Sequence, residues 1–259
     1  MRNVASNAHA PDNEIRPDTT IGDLVVRYPQ LRQRLETLGI DYCCGGKKPL
    51  EEAAEHAGQQ WPTVLAALQQ ALESEQTSGD NTDWSNVPLS DLADHIVTKH
   101  HTFMKEQLPR LDGLLARVQK AHGARHGAML GRLRSVYGAL RAELEPHLLK
   151  EEKILFPAIK EIDVFMSGTG ERPVIHCGSI ANPIRQMERE HDSAGKVLAE
   201  MRQTTEQYRL PSDACQTFAA LYDGLQAMEA DLHEHIHLEN NILFPGSVAR
   251  EVDMLAKEA

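Results

Sequence analysis

The chain has 259 residues, of which 5% are aromatic and 25% are charged, and its formal net charge is −11. This acidic balance, without a dense basic run, argues against nucleic acid and anionic membranes as partners. No stretch has the pattern of a secretory signal or a membrane span, and the four cysteines lack the spacing of a disulfide framework or zinc finger. We therefore expect a cytoplasmic protein with reduced thiols.

The first predicted unit is a small helical domain at residues 18–75. Four short segments have apolar residues at helical spacing, and they begin at Ile21, Leu31, Leu50 and Trp61. The second and third segments are separated by the sequence IDYCCGGKKP, whose two glycines predict a tight turn. Polar residues follow, and they predict a linker at residues 76–87.

The second predicted unit, residues 88–250, is a helix bundle. Four long helical patterns occupy approximately residues 89–121, 128–162, 182–209 and 212–244. Pro109 is expected to interrupt the first helix, and Pro245 is expected to end or kink the fourth. Cys215 lies in an apolar stretch of the fourth pattern and is expected in the core. Apart from a long loop at 163–181, which contains Cys177, the connections are short. The fold class is thus all-α, with an antiparallel four-helix bundle after the small domain.

Two similar motifs stand in the second and fourth bundle helices. HLLKEEKILFP begins at His147, and HIHLENNILFP begins at His235. Each places a Glu four residues after its first His, at Glu151 and Glu239. Residues four apart lie on one face of a helix, so each pair can bind one metal ion. The shared ILFP segments are expected to pack the end of the bundle below the metals.

The first and third bundle helices supply one further His each, His101 and His191. His101 fits the apolar stripe of its helix better than His100, which remains the alternative metal ligand on this helix. The other histidines near these positions, at 95, 233 and 237, are expected on the surface or beside the ligands. Imidazole and carboxylate ligands without thiolate suit iron or manganese, and the two Glu can each bridge two ions.

These motifs, with DYCCGG at 41–46 and EREHDSAG at 188–195, resemble those of the di-iron proteins for repair of iron centres. That family joins a small Cys-Cys domain to a hemerythrin-like bundle, and the resemblance covers about residues 18–248. It implies two non-haem iron ions per chain and, as partners, proteins with damaged iron–sulfur clusters. It leaves a homodimer open, and it places the metal ligands at His101, His147, Glu151, His191, His235 and Glu239.

The adjacent thiols of Cys43 and Cys44 are the second candidate site. Lys47 and Lys48 are expected to favour thiolate, and soft thiolates can accept iron. The alternative is a purely structural role, in which one thiol only packs in the core of the small domain. The leading hypothesis is a stress-response protein that repairs iron–sulfur clusters damaged by nitric oxide or oxidants, in which the iron centre releases iron and the Cys pair hands it over.

Two other functions are kept as alternatives. The first is a protein that binds nitric oxide or dioxygen at the metals and lowers its free level, with reduction of nitric oxide as an enzymatic version. The second is an iron-responsive regulatory adaptor. Whether the chain is an enzyme is left open by the sequence.

Overall fold

The computed structural model describes residues 15–73, 82–176 and 178–257. The N-terminal part is a module of four short helices around a small apolar core that includes Leu24, Leu35 and Leu68. The helices are α1 (Ile21–Arg27), α2 (Arg32–Thr37), α3 (Leu50–His56) and α4 (Trp61–Glu73). Thr20 begins α1 as its N-cap, since its hydroxyl accepts a hydrogen bond from the Asp23 amide at 3.1 Å. The module is thus helical, as its sequence predicted.

Four antiparallel helices form the bundle, and we label them A to D. Helix A comprises α5 (Leu89–Ile96), a π turn (Val97–His101) and the first half of α6 (Thr102–Lys150). Helix B comprises the second half of α6, a π turn (Glu151–Leu155) and α7 (Phe156–Met166). Helix C is α8 (Ala181–Thr204), and helix D comprises α9 (Gln216–Leu238), a π turn (Glu239–Leu243) and α10 (Phe244–Ala256).

The chain reverses from helix A to helix B at His126, whose φ of −115° and ψ of 18° are not helical. Contacts between the two halves of α6 show the antiparallel arrangement. The Tyr137 hydroxyl donates to the Leu108 carbonyl at 2.6 Å, and the Gln119 amide donates to the Leu130 carbonyl at 3.2 Å. The predicted fold class, a helical bundle preceded by a small helical domain, is confirmed. The predicted domain limits stay a prediction.

Neither proline ends the helix in which it lies. Pro109 does not interrupt helix A, since α6 runs through it with Leu108 and Leu111 buried on either side. The packing of these neighbours compensates for the hydrogen bond that a proline removes. Pro245 does not end helix D, which continues through it to Ala256. The π turn Glu239–Leu243 lies directly before this proline, and such a change of hydrogen-bond register in a helix accompanies a kink.

Each of the three π turns contains one of the predicted metal ligands, which are His101, Glu151 and Glu239. A π turn holds one residue more than an α turn, so it changes the direction in which the following side chains point. Such turns are frequent at functional sites. His191 differs, since it lies within the regular helix α8.

Two apolar clusters lie above and below the layer of these ligands. The larger cluster joins the core of the N-terminal module to the long hairpin of α6. The smaller cluster lies between α5, α7 and α10 and includes Phe156 and Phe244 of the two ILFP segments. Among the described residues, no helix combines the length and the apolar character that a membrane crossing requires.

Candidate metal centre

Six side chains meet between the two apolar clusters, and they are the six predicted metal ligands. All are buried, with at most 2% of their surface exposed. Four bundle helices contribute to the set: His101 from helix A, His147 and Glu151 from helix B, His191 from helix C, and His235 and Glu239 from helix D. The alternative ligand His100 is not among the grouped side chains.

The six side chains form two groups that share both carboxylates. Within each group, the potential ligand atoms lie within 4.8 Å of one another. The first group contains His101 and His235, whose Nε2 atoms are 3.3 Å apart. The second contains His147 and His191, whose Nε2 atoms are 3.1 Å apart. The structure therefore provides two neighbouring positions, each with two imidazole nitrogens.

Each carboxylate directs one oxygen toward each position. Glu151 Oε2 lies 3.4 Å from His101 Nε2, whereas its Oε1 lies 3.1 Å from His147 Nε2. Glu239 is arranged in the same way. Its Oε1 lies 3.1 Å from His235 Nε2, and its Oε2 lies 3.1 Å from His191 Nε2. Each carboxylate is therefore shared between the two positions.

Three of the four imidazoles are oriented by a hydrogen bond from the other ring nitrogen. His101 Nδ1 donates to Glu152 at 2.9 Å, and His147 Nδ1 donates to Glu190 at 2.8 Å. His191 Nδ1 donates to the Asn240 side-chain oxygen at 2.9 Å. A proton on Nδ1 leaves the Nε2 lone pair free for a metal ion, which is the usual arrangement of metal-ligating histidines.

The fourth imidazole, His235, has a different environment. Its Nδ1 is buried without a hydrogen-bond partner, and its ring stacks on the buried His100 ring at a centroid distance of 5.7 Å. His100 Nδ1 in turn lies 2.9 Å from Asp231 Oδ1. His100 thus lies beside the centre and packs against one of the grouped histidines.

The two shared carboxylates remain charged although they are fully buried. Burial and the neighbouring Glu239 raise the pKa of Glu151, but the His147 and His101 imidazoles outweigh them and keep it below its usual range. Burial also raises the pKa of Glu239, and His235 and His191 bring it well below that range. Burial lowers the pKa of His147, yet the Glu151 charge raises it to about 9.

The donor atoms of these residues fit iron. Both oxygens of Glu151 and both oxygens of Glu239 are buried without a hydrogen-bond partner. A buried carboxylate is costly unless it is paired or binds a metal, and these four oxygens converge on imidazole nitrogens. A donor set of nitrogen and oxygen atoms without sulfur suits iron and manganese.

Sequence reasoning missed the residues that orient the ligands, namely Glu152, Glu190 and Asn240. Each is a sequence neighbour of a ligand, which was the signal available. Lys150 also contacts Glu190, at 2.6 Å. Partial burial raises the pKa of Glu190, but this lysine and the other donors lower it to about 2. Glu190 is therefore an anionic acceptor for His147 across the neutral pH range.

Replacing Glu190 with Gln should weaken iron retention at the His147–His191 position. A neutral amide makes the imidazole a weaker ligand, and loss of such a partner typically costs about 10–100-fold in metal affinity. The measurement is iron content after dialysis against a graded series of chelator concentrations. Glu145→Gln is the matched control, because Glu145 is an exposed carboxylate of helix B that pairs with Arg141 on the surface. Equal iron loss from both variants would contradict the role given to Glu190.

The Cys43-Cys44 turn lies against helix C at its metal-ligand turn. Cys44 Sγ contacts the His191 carbonyl at 3.6 Å, and the two sulfur atoms are 3.8 Å apart as free thiols. A Cβ at Gly195 would stand 3.7 Å from Cys44 Sγ, which is an ordinary van der Waals distance, so the turn packs directly on helix C. The structure thus brings the second predicted site next to the first.

The expectation that lysines favour thiolate at this turn is wrong for Cys43. The hydrogen bond with Cys44, burial and the Asp41 carboxylate raise the pKa of Cys43 well above its usual range. Lys47 instead extends into solvent and pairs with Glu188 of helix C at 2.7 Å. Cys43 is therefore a protonated thiol at neutral pH.

The module is held on the bundle by two residues of the π turn in helix D. Asn240 donates to the Cys43 carbonyl at 3.2 Å, and Asn241 donates to the Tyr42 carbonyl at 3.1 Å. Asn241 also donates to His237 Nδ1 at 2.9 Å. His237 is thus not a surface residue, since it is buried below the docked module.

The other two cysteines lie apart from this turn. Cys215 was expected in the core but is exposed, because helix D begins at Gln216 and Cys215 is its N-cap residue. Cys177 lies outside the described residues.

Comparisons with known proteins agree with both parts of the structure. The model of the Hemerythrin HHE cation binding domain matches residues 92–246. A model described as a domain of unknown function (DUF542) matches residues 17–72. The first match covers the bundle and all six grouped side chains, whereas the second covers the module with Cys43 and Cys44.

Three curated relatives match nearly the whole chain. They are the proteins named iron-sulfur cluster repair protein YtfE from Enterobacter sp. (strain 638), Salmonella newport (strain SL254) and Salmonella agona (strain SL483). Each is 37% identical to the chain over 234 residues, which are 90% of this chain and 98% of the relative. Since both domains and nearly the whole length are shared, the chain belongs to the family of the iron-sulfur cluster repair protein YtfE.

Proposed function

We propose that the chain repairs iron–sulfur clusters damaged by nitrosative or oxidative stress, by supplying iron from its buried centre through Cys43 and Cys44. Two iron ions would be held, one by His101 and His235 and one by His147 and His191, with Glu151 and Glu239 shared between them. The iron supplies the material that a damaged cluster has lost. The shared family and the relatives' names support the repair function.

The observation that carries the proposal is the contact between the thiol turn and the His191 turn. Asn240 accepts from His191 Nδ1 and donates to the Cys43 carbonyl, so one side chain joins a ligand to the Cys pair. Cys44 lies against the same turn of helix C. An ion held at the His147–His191 position would therefore be the one transferred to the thiols.

The protonation of Cys43 suits a handover role. A cysteine binds iron as its thiolate, so Cys43 would release its proton to solvent as it takes the metal. The raised pKa of Cys43 keeps this thiol protonated before that exchange. Since the thiolate is the form that oxidants attack, a protonated thiol is protected under the stress in which repair is needed.

A cavity of about 870 Å³ gives the Cys pair an outward opening. It lies between the module and helices C and D, and both cysteines line it together with acidic and basic side chains from these elements, among them Glu36, Lys196 and Arg202. Iron that reaches the thiols therefore faces a polar opening, where a damaged protein can approach.

The test measures whether the protein restores the activity of an iron–sulfur enzyme that nitric oxide has inactivated. Iron-loaded protein should restore its activity, and the Cys43→Ser/Cys44→Ser double variant should be slower by about tenfold or more, because a hydroxyl is a poor substitute for a soft thiolate. Cys215→Ser, which removes an exposed thiol elsewhere, is the matched control. All three proteins should bind the same amount of iron.

Two results would decide against the proposal. Equal rates for the double variant and the wild type would contradict handover and favour the alternative, in which the bundle alone binds nitric oxide. Failure of the iron-loaded wild type to restore any activity under reducing conditions would contradict repair itself.

A further inference from the structure

A second cluster of metal-ligating side chains lies at the other end of the bundle. It consists of His122 from helix A, His126 at the reversal into helix B, and Asp213 and Cys215 just before helix D. Helix A continues from His101 to His122, so 21 residues at about 1.5 Å each place the cluster about 30 Å from the buried centre. The cluster is therefore a separate site.

Three of the four side chains already have donor atoms close together. Potential ligand atoms of His122, His126 and Asp213 lie within 4.8 Å of one another. His126 Nε2 lies 2.9 Å from Asp213 Oδ1, and Arg125 Nη1 lies 3.0 Å from Asp213 Oδ2. His126 follows His122 by four residues, and their ring centroids lie 6.3 Å apart on the same side of the chain.

Cys215 is the fourth member. Its Sγ lies 3.3 Å from His122 Nε2, and as an N-cap residue it precedes the rigid part of helix D. Rotation about one side-chain bond changes the position of this sulfur without a change in the backbone. The thiol is therefore available to the group that His122 belongs to.

The floor below the two imidazoles is apolar. Phe218 is fully buried, and its ring meets His122 edge-on at 5.2 Å and His126 at 6.1 Å between centroids. Such a floor fixes the ring planes and excludes water from one side of the group, as the apolar shell of a metal site does. A simple surface ion pair between Arg125 and Asp213 would need neither the two imidazoles nor the thiol.

We propose that His122, His126, Asp213 and Cys215 form a binding site for one divalent transition metal ion of the zinc type. Two imidazoles, a carboxylate and a thiolate form a borderline-soft set of four ligands, which is the number that Zn²⁺ takes in tetrahedral sites. Magnesium and calcium are excluded by the same set, since they take oxygen ligands. Binding releases the thiol proton of Cys215 to solvent and separates Asp213 from Arg125.

The probe is Co²⁺, which binds in place of Zn²⁺ and gives an absorption band when a thiolate ligates it. The full-length iron-loaded protein is used in a Cys43→Ser/Cys44→Ser background, so that the other thiol pair cannot contribute. One equivalent of Co²⁺ should produce the band, and Zn²⁺ should abolish it. The band reports thiolate ligation alone, so the outcome does not depend on the metal content of the buried centre.

Four variants in this background separate the site from chance binding. Cys215→Ser should abolish the band, and His122→Ala should weaken Co²⁺ binding by about tenfold or more, as loss of a ligand exceeds loss of a ligand's partner. Arg125→Ala should tighten binding by about two- to fivefold, because it removes the cation that competes for Asp213. His56→Ala, on an exposed part of α3, is the control and should change nothing.

The proposal is overturned by any one of three results. These are the absence of a thiolate band at saturating Co²⁺, survival of the band in Cys215→Ser, and equal Co²⁺ affinities of the His122→Ala and His56→Ala variants. Circular dichroism of every variant verifies the helical fold, and Cys177→Ser should keep the band.

Discussion

Replacing Glu151 with Gln will cost the protein both of its proposed iron ions, whereas replacing His101 with Ala will cost mainly one. The reason is the position of the ligand atoms. Glu151 directs Oε2 toward His101 and Oε1 toward His147, so its charge serves both positions. His101 belongs to the first group alone. We expect Glu151→Gln to lower the affinity for each ion by about tenfold or more, since an amide is a neutral ligand.

The measurement is iron per chain after dialysis against a chelator, together with the rise in melting temperature that iron produces. A ligand that binds only the folded state stabilises it in proportion to the logarithm of its affinity, so the rise should fall with the iron content. Glu145→Gln serves again as the control on helix B. If Glu151→Gln and His101→Ala lose the same amount of iron, the bridging arrangement is wrong.

Replacing Gly46 with Ala should leave the iron in place and stop its handover. A Cβ at this position would overlap Asn241 Oδ1 and stand 3.0 Å from Asn241 Cγ. The Asn241 side chain would have to turn away, which breaks its hydrogen bonds to the Tyr42 carbonyl and His237. The Cys turn would then lift from the bundle, whereas the six grouped side chains would keep their places.

The prediction has two readouts. At saturating iron the iron content should equal that of the wild type, although weaker docking lowers the iron affinity. The rate of cluster repair should fall, since one lost hydrogen-bonded contact of about 1–3 kcal/mol lowers the docking equilibrium constant by about tenfold or more. Gly113→Ala is the matched control, because a Cβ there meets nothing within 4 Å. Repair at the wild-type rate by Gly46→Ala would show that docking of the module is not needed.

The ligand set was predictable because it depends on local spacing. His147 and Glu151, like His235 and Glu239, are four residues apart, and helical geometry alone places such residues on one face. The structure brings all six predicted side chains together. The π turns were not predictable, because an extra residue in a turn depends on packing between helices rather than on the sequence of one helix.

The wrong predictions from sequence also arise because packing between distant residues cannot be read from local patterns. The contacts of Asn240 and Asn241 with the module join residues nearly 200 positions apart, and no local pattern indicates them. Pro109 follows a local rule that the packing of helix A overrides. Helix D begins at Gln216, four residues after its predicted start, and this shift alone moved Cys215 from the expected core to an exposed cap.

Glu239, Asn240 and Asn241 are consecutive residues of one π turn, and together they contact both the metal positions and the N-terminal module. The first is shared between the two metal positions, and the other two hold the thiol module. Coupling between two binding events is reciprocal, so a turn fixed by metal favours docking by the same factor by which docking favours the metal. Loss of iron and detachment of the module are therefore thermodynamically linked through three residues of helix D.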